Sequence, residues 1–329
     1  CTAIGVIMGD CWIIRFWETK YLLAKYICSK LLLFYFMDYR DKVFMSVAEN
    51  LSFSKAANQF NISQPAVTRH IKELEERYKT NLFERKGNKV YLTEVGKKVY
   101  NAYKEIAQLY RNLDFEIGQL HNSVSGEFII GASSTISQYV IPQVIASFHK
   151  RYPTIKIYLI NGNSFEMERM LLDNKIDMAL VENHSSQSGI RYKDFMDDEL
   201  IVVTGKNSVY AKRENISKED LLQTPIVLRE QGSGTLEVIK EMLARQKIGF
   251  ENINTHIHLG STEAIKNFLQ DFDGLAIVSE KAVRNELYMK TLVRLNVSGF
   301  SISRKFRIAY KHGHKSRQVE LFENFLFQY

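Results

Sequence analysis

The sequence predicts an α+β multidomain chain in three successive parts: a small helical module with a β-hairpin, one long helix, and a two-lobed α/β domain. Three observations carry that prediction. Residues 54–75 hold two short amphipathic helices around a tight turn. Residues 93–121 continue one helical pattern of apolar positions. From Glu127 onward, strand-length apolar runs alternate with helical stretches, which is the pattern of helices flanking a sheet.

The first part is read from its spacing. In SKAANQFNISQPAVTRHIKELE, Ala56, Ala57 and Phe60 mark the buried face of a short helix, and Asn61-Ile62 makes the turn. Ser63 caps a second helix with Pro65 in its first turn, where a missing N–H costs nothing. Val67, Ile71 and Leu74 recur at helical spacing and face inward. Gln64, Thr68, Arg69 and Lys72 remain on the outer face, and these residue types hydrogen-bond base edges and phosphates in a major groove. Spacing alone leaves open an ordinary helical hairpin with a solvated polar face. The neighbours decide between the two. A helix from Asp38 to Glu49 offers Val43, Phe44 and Val47 as a third wall. Leu82 to Thr93 reads as two short strands around a Gly-Asn turn, with Arg85, Lys86 and Lys89 along it. Three helices and a basic wing make a winged helix-turn-helix.

Residues 38–329 resemble the LysR-type transcriptional regulators over their whole length. The motifs that carry the resemblance are FSKAANQFNISQPAVTRHIKELE, LFER…VYLTEVG, REQGSGT and GSTEAI, in the family's order and spacing. The resemblance implies a DNA-binding role for Ser63, Gln64, Pro65, Thr68, Arg69 and Lys72, and for the wing residues Arg85, Lys86 and Lys89. It also implies an effector domain of the type II periplasmic-binding-protein fold. Where the family often has Arg in the wing this chain has Asn88, so the three basic neighbours must supply the charge.

Composition fits this reading. The 329 residues carry a formal net charge of +7, and a basic balance suits a polyanionic partner without identifying one. All three cysteines (Cys1, Cys11, Cys28) and both tryptophans (Trp12, Trp17) fall within the first 28 residues. That break sets off residues 1–36 as an extension, with Met37 the expected start. Its scattered charges (Arg15, Glu18, Lys20, Lys25, Lys30) suit neither a signal peptide nor a spanning helix. The rival reading is a membrane anchor over residues 21–36, which would make the chain a membrane-tethered solute-binding or sensory protein. The basic winged helix argues against it, since a solute-binding protein has no use for one. A main body without cysteine fits the cytoplasm, and no membrane partner is expected.

The expected domains are 37–92 for the winged helix, 93–125 for linker helix and hinge, and 126–329 for the effector domain. Thr93 can cap the linker helix. Val99, Ala102, Ile106, Leu109 and Leu113 follow steps of three and four, a heptad seam. The alternative is a helix packed on its own domain. The resemblance implies dimerisation through this helix, as a homodimer or homotetramer. Asn122 to Gly126 reads as the hinge. Lobe I is expected at about 126–203 and 300–329, and lobe II at about 204–299.

Three strand-to-helix loops in the effector domain look equipped to hold a ligand. They comprise Ser133, Ser134 and Thr135; Asn163 and Ser164; and Gly232, Ser233, Gly234 and Thr235. Glycine lets backbone approach a ligand, hydroxyls donate, and helix starts favour anions. Ser, Thr and Asn are equally good helix caps, so capping competes with binding at each loop. Three loops at the carboxyl ends of strands point to a ligand between the lobes. The resemblance implies the same of Ser133, Thr135 and the Gly232–Thr235 loop. The expected effector is a small anion or carboxylate. Ser261 is expected to cap a fourth helix, with Glu263 supporting its first turn.

Nothing in the sequence argues for catalysis, a cofactor or a metal. The close histidine pairs, His256/His258 and His312/His314, lack a cysteine or carboxylate partner pattern. There is no GxSxG elbow, Walker loop or HExxH.

Overall fold

The computed structural model describes residues 37–329 except 88, 121–125, 185, 214, 300 and 314; in the linker helix the side chains of 108, 111, 112, 114–116 and 118–120 are also left undescribed. The extension 1–36 with its candidate anchor, and all of the expected hinge but Gly126, lie outside the described residues. Among the described residues no helix is long and apolar enough to cross a membrane. The chain divides into two compact units, one ending at Leu113 and the other beginning at Asp114.

In the first unit, α1 (Tyr39–Asn50), α2 (Phe53–Phe60) and α3 (Gln64–Tyr78) form a three-helix core. Each start is capped by a side-chain oxygen: Asp38 accepts from Arg40 N, Ser52 from Lys55 N and Ser63 from Ala66 N. Asn61, at φ 53, turns the chain between α2 and α3. Val43, Phe44, Ala56 and Val67 are fully buried between the helices, with Leu74 beside them. The wing is β1 (Phe83–Lys86) paired antiparallel with β2 (Lys89–Leu92).

Thr93 does cap the linker helix α4 (Glu94–Leu120), its Oγ1 accepting from Gly96 N at 2.9 Å. The glycine in that first turn has a steric reason, because a Cβ on Gly96 would lie 2.0 Å from the Leu82 carbonyl oxygen. Tyr103, one face further along, is buried against Phe44. Its hydroxyl donates to Asp41 Oδ1 at 2.8 Å and lies 2.7 Å from the Tyr78 hydroxyl. Burial pushes the Asp41 carboxyl up, against the pull of that hydrogen bond.

The second unit is a two-lobed α/β domain. Lobe I contains β3 (Gly126–Ser133), α5 (Ser134–Tyr139), α6 (Ile141–Arg151), β4 (Ile155–Gly162), α7 (Ser164–Leu172) and β5 (Met178–Val181). Then β6 (Ile190–Gly205) runs the length of the unit. Lobe II follows with β7 (Asn215–Ile216), α8 (Lys218–Gln223), β8 (Ile226–Arg229), α9 (Gly234–Arg245), β9 (Ile257–Leu259), α10 (Thr262–Phe268), β10 (Leu275–Ser279), α11 (Glu280–Tyr288) and β11 (Leu292–Val297). The long strand β12 (Ile302–Lys311) crosses back, and α12 (Arg317–Gln328) closes lobe I.

The sheet is mixed. Strands within each lobe pair in parallel (β3 with β4 and β5; β8 with β10 and β9), whereas β6 and β12 cross antiparallel. Alternating helices and strands signal the parallel pairs, but a strand that leaves one lobe for the other has no such signature. The lobe boundary also falls before 203. Phe195 and Met196 pack on the lobe I core of Phe128, Phe148, Phe306 and Phe322, while Leu200 and Val202 already belong to the lobe II core of Leu228, Ile239 and Ile277.

Candidate DNA-reading surface and inter-lobe cleft

Helix α3 turns Val67, Ile71 and Leu74 inward and leaves Gln64, Pro65, Thr68, Arg69 and Lys72 exposed. Gln64 Oε1 accepts from Ser54 Oγ at 2.9 Å, which leaves its NH2 group as the donor end. Thr68 Oγ1 donates to the Gln64 carbonyl at 3.1 Å, and Arg69 Nε sits 3.7 Å from Glu73. Ser63 is exposed, and its hydroxyl accepts the cap bond from Ala66 N while its O–H can still donate. In the wing, Arg85 lies over the Phe53 ring, Lys86 pairs with Glu84 at 3.0 Å, and Lys89 is exposed at the start of β2. The sequence-predicted contacts are therefore each solvent-facing.

On α4 the expected seam splits. Ala102 is exposed, and Ile106, Leu109 and Leu113 are 39%, 55% and 48% exposed, an unusual stripe of apolar side chains in solvent. Val99 does not belong with them. It is half-buried against the winged-helix core, because the first turns of α4 pack on their own domain.

In the cleft, the structure separates capping from ligand-like geometry loop by loop. Asn163 is a cap. Its side chain accepts from Glu166 N at 2.9 Å while Glu166 Oε2 accepts from Asn163 N at 3.0 Å, a closed capping box at the start of α7. Ser133 and Ser233 make no side-chain cap at all. Ser133, Ser134, Thr135, Ser164, Ser233 and Thr235 are each at most 3% exposed and converge where the lobes meet. Helix α5, however, is only six residues long, so little anion-attracting field can come from its start.

The centre of this convergence is a carboxylate that the sequence reading missed. Glu182, just past β5, is 1% exposed. Its Oε1 accepts from Thr235 at 3.0 Å and its Oε2 from Ser133 at 3.2 Å. Arg304 of β12 lies 3.3 Å from Glu182 and donates to Thr235 Oγ1 at 2.9 Å. The same guanidinium reaches Asp198 of β6 at 2.8 Å, and Ser279 donates to Asp198 at 2.7 Å. Burial pushes the Glu182 carboxyl up, but Arg304, Arg229 and the hydroxyls outweigh it and hold it below the usual range. Asp198 goes the other way, raised by burial and by the neighbouring Glu182 charge beyond what Arg304 and Ser279 recover.

In and around that network, five buried polar atoms find no hydrogen-bond partner among the described residues: Ser134 Oγ, Thr135 Oγ1, Ser233 Oγ, Arg229 Nη1 and Arg304 Nη2, the last within ion-pair reach of Glu182. Thr135 stands close to the Glu182 carboxylate without a well-formed bond to it. Arg229 is 1% exposed, its other nitrogens held by Glu230 and the Gly260 carbonyl. An unpaired buried polar group costs about 1–3 kcal/mol, so such groups ask for a partner.

Other bonds close the lobes on each other. Phe165 N donates to the Gly232 carbonyl at 3.3 Å, and His184 Nδ1 lies 2.9 Å from Glu241 of α9. Tyr139 of α5 donates to Glu263 of α10, which also pairs with Lys266 at 2.7 Å. Ser261 caps α10 as expected, accepting from Ala264 N. Glu263 thus bridges the lobes as well as supporting its own helix.

The family profile described as "Bacterial regulatory helix-turn-helix protein, lysR family" matches residues 42–97, and "LysR substrate binding domain" matches 121–329. The transcriptional regulator CysL of Bacillus subtilis is 31% identical over 271 residues, 82% of this chain and 89% of CysL. The chain belongs to the LysR family. It is a DNA-binding transcriptional regulator with a winged helix-turn-helix and an effector-binding domain. The transcriptional activator CmpR of Synechocystis is 30% identical over 85% of this chain and 90% of its own. Among solved structures, full-length CbnR complexed with its target DNA superposes with a TM-score of 0.64 at 17% identity, covering 89% of this chain and 99% of CbnR. The regulatory domain of Synechocystis CcmR, in complex with 2-PG, superposes with a TM-score of 0.56 at 24% identity over 61% of this chain and 96% of that domain. Both likenesses bear on the fold.

Within this LysR-family chain, Glu182, Asp198, Arg229 and Arg304 come from four separate strands or the residue just past one. One signal was available. Each is a charge set against a run of buried strand residues, such as the Met178–Val181 stretch that precedes Glu182, and charges are almost never fully buried unless paired.

Proposed function

We propose that this regulator is switched by a small anion or carboxylate held between the lobes by Ser134, Thr135, Ser233 and Arg229. The observation that carries the reading is that Ser134, Thr135, Ser233 and Arg229 each hold a buried polar atom without a hydrogen-bond partner, on Arg229 a guanidinium nitrogen. CcmR, a structural neighbour, is solved with 2-PG, and QuiR's effector-binding domain with shikimate, so small-molecule control suits the fold. The ligand acts only through differential affinity for lobe arrangements, and no catalytic step is involved. With DNA as its target, its site of action is the cytoplasm.

The exposed stripe of Ala102, Ile106, Leu109 and Leu113 supports a homodimer or homotetramer paired through α4. Two reading heads then take half-sites about 10 bp apart or multiples of it. On each, Gln64, Pro65 and Thr68 read base edges, while Arg69, Lys72, Arg85, Lys86 and Lys89 hold phosphates.

The experiment is a thermal-shift titration of the full chain with sulfate, phosphate and short carboxylates against chloride at equal ionic strength. A ligand bound only by the folded state raises the melting temperature by mass action. Binding should weaken by tenfold or more in Thr135→Val and Ser233→Ala, since a hydrogen bond to a charged group contributes about 1.5–3 kcal/mol. Equal responses in both variants and the wild type place the anion elsewhere.

A further inference from the structure

We propose that the cradle where the lobes meet is itself a carboxylate site whose ligand is this chain's own Glu182. As a tethered ligand, Glu182 holds the lobes closed and denies the centre of the cradle to a second anion. Both oxygens of Glu182 are engaged, by Thr235 from lobe II and by Ser133 from lobe I, with Arg304 completing the set at 3.3 Å. A diffusible carboxylate bridging α5 and α9 would make the same contacts. The hydroxyls of Ser134, Thr135 and Ser233 are left without a hydrogen-bond partner.

The backbone of lobe II is fitted to the tethered group. A Cβ on Gly234 would lie 2.6 Å from Glu182 Cγ, 2.8 Å from Ser164 Oγ and 2.9 Å from Asn183 N. Only glycine lets α9 begin directly against Glu182, and the hydroxyl of the next residue, Thr235, then reaches its carboxylate. The charges follow the same logic. Glu182 and Asp198 share Arg304, so this buried set has no spare positive charge. An incoming anion is left with Arg229. Glu182 therefore sets where in the cleft an effector's negative group can sit. This rests on the same two-lobed cleft as the effector reading but needs no external anion in the wild type, so either can fail without the other.

The test reads lobe closure in the full chain through the inter-lobe bond from Phe165 N to the Gly232 carbonyl. In Glu182→Gln, which keeps the side chain's shape and loses its charge, amide hydrogen exchange at Phe165 should quicken at least tenfold. Exchange at Phe128 and Ile130, inside the lobe I sheet, should stay unchanged. In Glu182→Ala, sodium acetate or formate should restore protection at Phe165 saturably, where sodium chloride at equal ionic strength does not, and the wild type should show no such gain. Unchanged exchange in Glu182→Gln overturns the proposal. So does a Glu182→Ala protein on which acetate and formate act no differently from chloride. If Glu182→Ala does not fold, the glutamine variant decides alone.

Discussion

On α3, Gln64, Thr68, Arg69 and Lys72 stand in solvent, and the first three are held by single contacts within the module. In the cleft, Ser133, Glu182, Asp198, Thr235 and Arg304 are buried and bonded to partners up to 106 positions away. Charge in the first surface is free to meet a polyanion and contributes little to stability. Charge in the second is spent internally, so removing one member strands the others. The two surfaces should respond to substitution in opposite ways.

The largest contrast is in folding stability. Arg304→Met leaves Glu182 and Asp198 buried without their shared cation and should cost about 3–5 kcal/mol in denaturant unfolding. Arg69→Ala should change stability by no more than about 0.5 kcal/mol while weakening binding to all DNA sequences and flattening its salt dependence. Comparable losses in the two variants would dissolve the distinction. The apolar stripe on α4 tests exposure of another kind. Ile106→Glu with Leu113→Glu should abolish cooperative DNA binding and lower the oligomer mass in sedimentation, and an unaltered mass would move the interface away from this stripe. A smaller effect sharpens the DNA side: Gln64→Ala should relax base preference at one position by about 1–3 kcal/mol, seen in the ranking of operator variants selected from random DNA.

Two buried glutamates extend the contrast to pH. Glu182 is held below its ordinary value of 4.5 once burial is outweighed by Arg304 and Arg229, so its stabilising share is present above that value and lost as pH falls below it. Glu168 accepts from Asn183 and Tyr192, yet burial keeps its carboxyl above 4.5. Its share is full below 4.5 and is lost as pH rises through the raised value. Glu168→Gln should therefore flatten the stability profile on the alkaline side of 4.5, and Glu182→Gln on the acid side. Urea midpoints across that range check both signs.

The same difference explains what was legible in the sequence. The winged helix is local: caps at Ser63 and Thr93, apolar spacing in α3 and the turn at Asn61 all operate within a few residues, so pattern reading finds them. The sites in the cleft are not local. Ser133, Thr135 and Thr235 could be located because glycine and hydroxyl residues punctuate strand ends. A charge beside a buried run marks Glu182, Arg304 and Asp198, but their pairing could not be read, because only the crossing of β6 and β12 brings them together. At Asn163 the cap is local too, since its Glu166 partner three residues on is the signature of a capping box. Val99 misled because heptad spacing does not say which side of a helix its own domain covers.

The measurement that tests the account most directly couples the two surfaces. Operator DNA selected with the full chain is titrated with wild type, Thr135→Val and Ser233→Ala, each with and without the anion that shifts the wild-type melting temperature. The account predicts that all three bind DNA alike without the anion, and that the anion changes the wild-type affinity but changes the variants' affinity less at the same concentration. An anion response that survives intact in both variants would contradict it.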